Sequence, residues 1–504
     1  MIRLSIMLSI ALLTLLILDG NAQLKHARNW ITGGGKSYKI TFDGGQVTKS
    51  VFDTSYLFYF THGHSCISDS VGNFRLLCNG FRLFDTLGNL IANGDTLVPV
   101  EIFKTYGDAP GPQNSIILPF QNEIYYIITP TASDSEIVYN WIGGGPQAVF
   151  DLLLYHKVDM QANGGAGMVV KKKASLLDHV RLSKSQMMAC RHADGVNWWL
   201  LKQAQDTNLI YKFVVTQDSI YNMGVQGFPL PKWGPNDVKG QMMFDHAGNR
   251  YIAVNNGCKS LFMADFDRCN GILSNPKIVN IPQNLAQPAG TVLDTFLRGA
   301  CFSPNDSFLY IATFGNLYQL EFNNPDSSTA WYRVANLDTT WAVFNGWANI
   351  YPGLDGKLYV GNSSGLGNAM SVVNNPNAKG AACDFCPKCL RFGHIGTSVP
   401  PCMPNYALGK DTTVNCWPMG IGQVEPQEPL LLVYPNPAAT TLTVESEGLK
   451  QGLNELQVHN LMGQCVLKET FRSATGRHTV SVQGLPSGVY ILKVNNMVRR
   501  VLIE

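Results

Sequence analysis

Six polar turns recur along the chain, and each is followed at once by a β-branched and aromatic run. The turns are Gly72-Asn73, Gln121-Asn122, Asp194-Gly195, Gly248-Asn249, Asn305-Asp306 and Asp355-Gly356. The runs after them are Phe74 to Leu77, Ile124 to Ile128, Trp198 to Leu201, Tyr251 to Val254, Leu309 to Ala312 and Leu358 to Val360. Counted from Gly72, Asn122, Gly195, Gly248, Asp306 and Gly356, the intervals are 50, 73, 53, 58 and 50 residues. A unit of this length, built of short strands, cannot bury its own faces, so such units close radially. The spacing therefore predicts an all-β protein whose main domain, residues 23–418, is a β-propeller of seven blades within a range of six to eight. Strand material from Tyr38 to Phe60 belongs to the first or closing blade, and the 73-residue interval places an insertion around Thr129 to Gln147. Stacked β-sandwiches are the competing arrangement, but they would repeat at roughly 100 residues.

The start of the chain bears on location. Met1, Ile2 and Arg3 precede a largely apolar stretch from Leu4 to Leu18, then Asp19, Gly20, Asn21 and Ala22. This is the pattern of a secretory signal peptide, residues 1–22, cleaved near Ala22. Fifteen helical residues reach only ~22 Å, short of the ~30 Å hydrocarbon core. No later stretch reads as a transmembrane segment. With 38 Lys+Arg against 36 Asp+Glu, the formal charge of +2 speaks against nucleic acid as a partner.

Twelve cysteines in an exported chain point to disulfides rather than metal. The candidates are Cys66, Cys78, Cys258, Cys269, Cys383, Cys386, Cys389, Cys402 and Cys416. The Cys383, Cys386, Cys389 triple lacks the paired spacing of a zinc site, and an iron–sulfur run would need a cysteine where Gly393 stands. Stapling of the last blade is the expectation. Loss of Cys465 with a removable tail leaves an odd number of thiols.

Past Trp417 the composition changes. Residues 419–429 read as an extended linker, and residues 430–504 as a compact β-sandwich of short runs such as Leu442 to Val444, Glu455 to Val458, Thr479 to Val482 and Val489 to Leu492. Three ordered blocks stand there: Tyr434-Pro435-Asn436-Pro437, Leu461-Met462-Gly463-Gln464, and Leu485-Pro486-Ser487-Gly488-Val489-Tyr490, ahead of Arg499 to Ile503. They resemble the type A sorting domain of type IX secretion. The resemblance implies passage across the outer membrane by that machinery, removal of the tail there, and release or attachment to surface lipopolysaccharide. The two prolines fix the entry strand, and Gly488 is expected to permit the close turn before the last hairpin. A looser resemblance covers roughly residues 60–390. Cys66 to Phe74, Met187 to Trp199 around Arg191-His192-Ala193-Asp194-Gly195, Phe302 to Asn305, and Leu317 to Leu320 are similar to the propeller region of secreted and gliding-associated proteins of bacteria with that system. It implies a fold and no catalytic residues.

Chemical motifs are few. Gly33-Gly34-Gly35-Lys36-Ser37 has Trp30 where a phosphate loop needs glycine, so it reads as a turn. Gly361 to Gly365 has nucleophile-elbow spacing around Ser363, with Asp384 and His394 downstream, but Leu366-Gly367-Asn368 is a poor helix start. His62 and His64 could serve a metal or act as a base, and read better as core or loop residues. Asp265 to Gly271 begins like a calcium loop, yet Cys269 occupies an oxygen-ligand position. Lys171 to Lys173 suits a solvated edge, and Trp198, Trp199, Trp331 and Trp341 suit the core better than sugar stacking. No catalytic residue, metal or cofactor is therefore assigned. The expected function is binding or adhesion to an extracellular glycan or protein at one propeller face. An extracellular hydrolase or lyase acting on a polymer is the alternative.

Overall fold

The computed structural model describes residues 25–33, 37–52, 63–106, 109, 111–138, 149–205, 207–228, 240–255, 260–282, 285, 297–324, 326, 329–336, 346–362, 367–393, 398–414, 416, 431–446, 449, 453–460, 464–495 and 497–504. The chain divides into two compact units, residues 1–417 and 418–504.

In the first unit, strands pair antiparallel with their neighbours in sequence and make seven sheets among the described residues. Blade I holds β1 (Asn29–Thr32), β2 (Ser37–Asp43) and β3 (Gln46–Phe52). Blade II holds β4 (Ser65–Ser68), β5 (Phe74–Cys78) and β6 (Leu83–Phe84), with helix α1 (Val100–Tyr106) after it. Blade III is β7 (Ile116–Pro119), β8 (Ile124–Thr131), β9 (Leu152–Asp159) and β10 (Met168–Leu177). Blade IV is β11 (Leu182–Arg191), β12 (Trp198–Ala204), β13 (Leu209–Val215) and β14 (Ile220–Gly227). Blade V is β15 (Gly240–Phe244), β16 (Arg250–Asn255), β17 (Ser260–Asp267) and β18 (Ile272–Asn280). Blade VI is β19 (Leu297–Phe302), β20 (Phe308–Thr313), β21 (Asn316–Glu321) and β22 (Trp331–Asn336). Blade VII is β23 (Trp347–Pro352), β24 (Leu358–Asn362), β25 (Ala369–Val373) and β26 (Phe385–Arg391).

The protein is a β-propeller followed by a small β domain. First strands such as β4, β7 and β15 are buried at every residue, whereas the last strands β14 and β22 are half-exposed along their length. The first strands therefore line the axis and the last strands face solvent. All six recurrent turns fall between the first and second strands of blades II to VII, and the runs after them are the second strands. The long interval is taken up by the connection between β8 and β9, residues 132–151, of which 139–148 lie outside the described residues.

Three of the turns share one device. In blade II the Asp69 carboxylate accepts the backbone N–H groups of Val71 and Asn73 at 3.0 and 2.9 Å. Asp194 does the same for Val196 and Asn197 in blade IV, and Asp245 for Asn249 and Arg250 in blade V. A short side-chain acceptor satisfies the donors that a tight turn leaves unpaired.

Facing the axis, inner-strand groups need partners without a further strand to provide them. Glutamines supply them, because a carboxamide offers the same donor and acceptor pair as a peptide group. Gln113 donates to Met242 O and accepts from Met242 N, both at 2.8 Å. Gln241 accepts from Ala300 N and Ile350 N and donates to Ile350 O, tying blade V to blades VI and VII.

Blade I closes the ring by a different route. Residues 398–402 return beside β1: Thr32 Oγ1 donates to Val399 O at 2.9 Å, and Cys402 N donates to His64 O at 2.8 Å. Pro400 and Pro401 carry no N–H, so this stretch supports no regular ladder. Apolar contact makes the seam instead. The ring of Trp30 meets Phe42 at 4.7 Å and Tyr359 of blade VII at 5.3 Å between centroids.

The second unit is built differently. One sheet orders β27 (Leu432–Tyr434), β28 (Thr441–Glu445) and β31 (Arg477–Ser481), and the other orders β30 (Cys465–Phe471), β29 (Asn454–His459), β32 (Gly488–Val494) and β33 (Met497–Ile503). Leu442, Val444, Leu456, Val458, Val480, Leu492 and Val501 fill a shared core. Asn436 Oδ1 accepts Leu502 N at 2.8 Å, which ties the Tyr434 to Pro437 block to the final strand. Tyr490 OH donates to Pro486 O at 2.7 Å inside the third block. The glycine that turns the chain ahead of the last hairpin is Gly484, with φ of +94°, and not Gly488, which begins β32 in ordinary extended backbone. Gly463 lies outside the described residues.

Candidate ligand-binding face

Antiparallel meanders put every first-to-second-strand turn of blades II to VII on the same face, and two concave features open there. The larger, about 520 Å³, is a groove formed by the turns of blades II, III and IV. Asp69 and Ser70 come from the first turn, Phe120 to Glu123 from the second, and Arg191, Gly195 and Val196 from the third, with His26 at the edge.

Most charged groups of the groove are already engaged. Asp69 caps its own turn, and Glu123 forms an ion pair with Arg75. His26 Nδ1 lies 2.7 Å from Ser68 O, and burial holds its pKa below the ordinary value. Arg191 Nη1 donates to Val196 O at 2.9 Å, and its guanidinium lies 3.7 Å from the centre of the Trp198 ring. Burial pulls the Arg191 pKa down to about 9, against the opposing pull of Asp194. Ser70, Gln121 and Asn122 remain as exposed neutral hydrogen-bonding side chains. Such a surface can hold hydroxyl and amide groups of a ligand, and offers no poised acid and base pair.

The second feature is an apolar chamber of about 220 Å³ near the axis. Met188, Met243, Phe244, Phe302 and Tyr351 line it on the blade side. Its roof is the chain from Met403 to Leu408, which continues from the closing segment. The Tyr406 hydroxyl reaches inward and donates to Ile117 O at 2.8 Å. Beyond the roof the chain lies hard against the turns. A Cβ on Gly248 would meet Leu408 Cδ2 at 2.7 Å, and one on Gly195 would meet Lys410 N at 2.7 Å, and both glycines have positive φ.

The residues singled out in the sequence do not converge on either feature. Ser363, His394, His62 and Trp341 lie outside the described residues. Asp384 caps a short 3₁₀ turn, where its carbonyl accepts Asn374 N at 3.1 Å. His64 is buried with Nε2 2.8 Å from Ile31 O, and burial lowers its pKa to about 4, so it sits neutral in the wall. Trp198 and Trp199 are fully buried core residues, and Trp331 is half-buried on an outer strand. In the calcium-like stretch, Asp267 caps the turn between β17 and β18 by accepting Cys269 N at 2.8 Å. Lys172 pairs with Asp95 at 2.5 Å on the outer strand of blade III. Gly33 to Ser37 joins β1 to β2, with residues 34–36 outside the described set.

The structure joins Cys269 to Cys416 and Cys386 to Cys389, the latter within β26 of blade VII. The remaining candidates divide. Cys66, Cys78, Cys383 and Cys402 are buried thiols and not disulfide partners, while Cys258 lies outside the described residues. The two on strands are engaged elsewhere: Cys66 Sγ donates to Asn29 O at 3.4 Å, and Cys78 Sγ accepts Gly80 N at 3.3 Å. Burial pushes the Cys66, Cys78 and Cys402 thiols up to about 12, leaving them protonated and unreactive. Among the described residues no group of three or more His, Cys, Asp and Glu side chains could hold a metal ion.

What the groove lacked in the sequence was adjacency. Its turns were legible one by one, but no local pattern says that three of them share a rim.

Residues 432–503 match the model of the secretion system C-terminal sorting domain. No curated protein matches the chain. Among solved structures, a 6-phosphogluconolactonase candidate from Bacteroides fragilis is 12% identical, with 74% of this chain and 97% of that chain covered and a TM-score of 0.41. A second such candidate, from Bacteroides uniformis, is 11% identical over 74% and 98% of the two chains, with a TM-score of 0.39. A protein from Lactobacillus plantarum is 12% identical over 80% and 94%, with a TM-score of 0.36. At these values the likenesses carry no argument about activity. Among the described residues no helix is long and apolar enough to cross a membrane. The sorting domain indicates secretion to the cell surface, and with a propeller ahead of it the chain resembles the cargo proteins of type IX secretion.

Proposed function

We propose that this protein is an exported, non-catalytic binding module whose ligand occupies the groove across blades II, III and IV. The observation that carries the reading is the state of the groove's charged groups. Asp69, Glu123, His26 and Arg191 each have a partner within the fold, while Ser70, Gln121 and Asn122 stand exposed and neutral. Glycan hydroxyls or the backbone of an extracellular protein fit that chemistry. In this reading the signal peptide is removed near Ala22, the sorting domain engages the type IX machinery, and cleavage in residues 419–429 leaves the propeller at the cell surface or in the medium.

Mature protein recovered from the cell surface is to be screened on a glycan array and, in parallel, for turnover of polymeric substrates. Gln121→Ala together with Asn122→Gly removes both carboxamides while keeping the left-handed backbone at position 122, where φ is +57°. Binding without turnover, weakened at least ~10-fold by the pair, supports the reading. Turnover that the same pair abolishes would instead establish the enzyme alternative.

A further inference from the structure

We infer that residues 403–414 and Cys416 form a strap across the turn face, and that oxidation of Cys269 with Cys416 latches its second half. The strap has two halves with different holds. Up to Leu408 it is packed: Met403 and Tyr406 are buried, Tyr406 OH is bonded to Ile117 O, and Asn405 Nδ2 donates to His246 O at 3.1 Å. From Gly409 to Cys416 no described residue is a buried apolar side chain, and residues 410 and 412–414 are exposed. Among the described residues, hydrogen bonds from Arg268 Nη2 to Gly409 O at 2.5 Å and from Asp411 N to Ala193 O at 2.9 Å hold that half, and Cys416 Sγ lies 4.0 Å from His192 Nε2. Hydrogen bonds at a solvent edge open readily, so the covalent link at its end decides whether the strap stays down.

The anchor is firm. Cys269 sits in the turn between β17 and β18, where Trp199 Nε1 donates to Arg268 O at 2.8 Å and Arg268 Nε donates to Arg191 O at 3.0 Å. The bond joins positions 147 residues apart, so it ties blade V to the last described residue of the propeller unit. Making it removes two electrons and two protons from the thiols and passes them to an external disulfide oxidant, which leaves as a dithiol. The strap also leads directly into the stretch that the proposed tail cleavage would cut. A latched Cys416 keeps the new end from peeling back along the closing segment at Val399 to Cys402.

Trypsin reads the latch, because Lys410 lies in the weakly held half. The full-length chain, oxidised, is compared with Cys269→Ser/Cys416→Ser, and with Cys386→Ser/Cys389→Ser as the control for the other bridge. Cleavage after Lys410 is expected to be at least ~10-fold faster without the latch and unchanged in the control. Equal cleavage rates in the oxidised parent and the latch variant would overturn the proposal. If that variant does not accumulate as folded protein, the parent is titrated with reductant while mass mapping follows each bridge. A cleavage rate that fails to track opening of Cys269–Cys416 then overturns it. Groove binding by the Gln121 and Asn122 test is independent of the strap, so either reading can fail alone.

Discussion

The propeller and the sorting domain are both antiparallel β structures, yet they solve the burial of polar groups in opposite ways. In the sandwich the core is aliphatic and aromatic, from Leu442 and Val444 across to Leu492 and Val501. Its sheets pair distant segments, β28 with β31 and β29 with β32. The propeller pairs neighbours in sequence, but its axis gathers inner strands with unpaired edges. Gln113 and Gln241 are buried there to answer those edges, and Lys202 is buried to answer two carbonyls at the register break between β11 and β12. One unit owes its stability to packing, and the other also depends on buried hydrogen bonds that are costly to leave half-made.

Gln241→Leu should break this comparison most sharply. Three backbone groups on blades VI and VII lose their partners, and chemical denaturation should show a loss of about 4 kcal/mol in the propeller transition alone. Were the loss below about 1 kcal/mol, the carboxamide belt would not be a determinant of the fold. Leu456→Ala is the counterpart in the sandwich. A cavity in the apolar core should cost about 3 kcal/mol, with the propeller transition unmoved.

Lys202 sharpens the contrast through pH. Its ammonium site is fully buried, Nζ donates to Ser183 O at 2.6 Å and also to Ser185 O, and burial holds its pKa well below the ordinary lysine value. A depressed folded-state pKa means the unfolded chain binds the extra proton, so the parent gains stability as pH rises toward the ordinary value. Lys202→Met leaves two carbonyls unmatched and lacks that gain. The variant should be less stable by about 2 kcal/mol near neutrality, and the deficit should widen toward about pH 10. A deficit that stays flat across that range would mean the amine is solvated after all. Smallest is Asp69→Ala, which removes one exposed turn cap and should cost about 1 kcal/mol, seen as a modest drop in midpoint temperature.

Legibility followed the range of the interactions. The turns at Gly72-Asn73 through Asp355-Gly356 announced blades II to VII because a tight turn and the strand after it are set by residues a few positions apart. Blade I was harder to read, since its closing segment lies at Ser398 to Cys402, some 370 positions from the strand at Asn29–Thr32 that it completes. The prolines there erase the strand pattern as well. Cysteines misled for a related reason: Cys66 and Cys78 are core residues of adjacent strands, and an exported chain does not oblige a buried thiol to pair. The groove was absent from the sequence reading because it belongs to three turns at once.

By itself the sequence determined what local chemistry can determine: a strand and turn rhythm near fifty residues, and the ordered blocks of an export tail. The tertiary structure decided which ends meet, which cysteines face one another, and which turns share a rim. Those outcomes depend on distances through space between residues far apart along the chain, and a linear pattern carries no record of them.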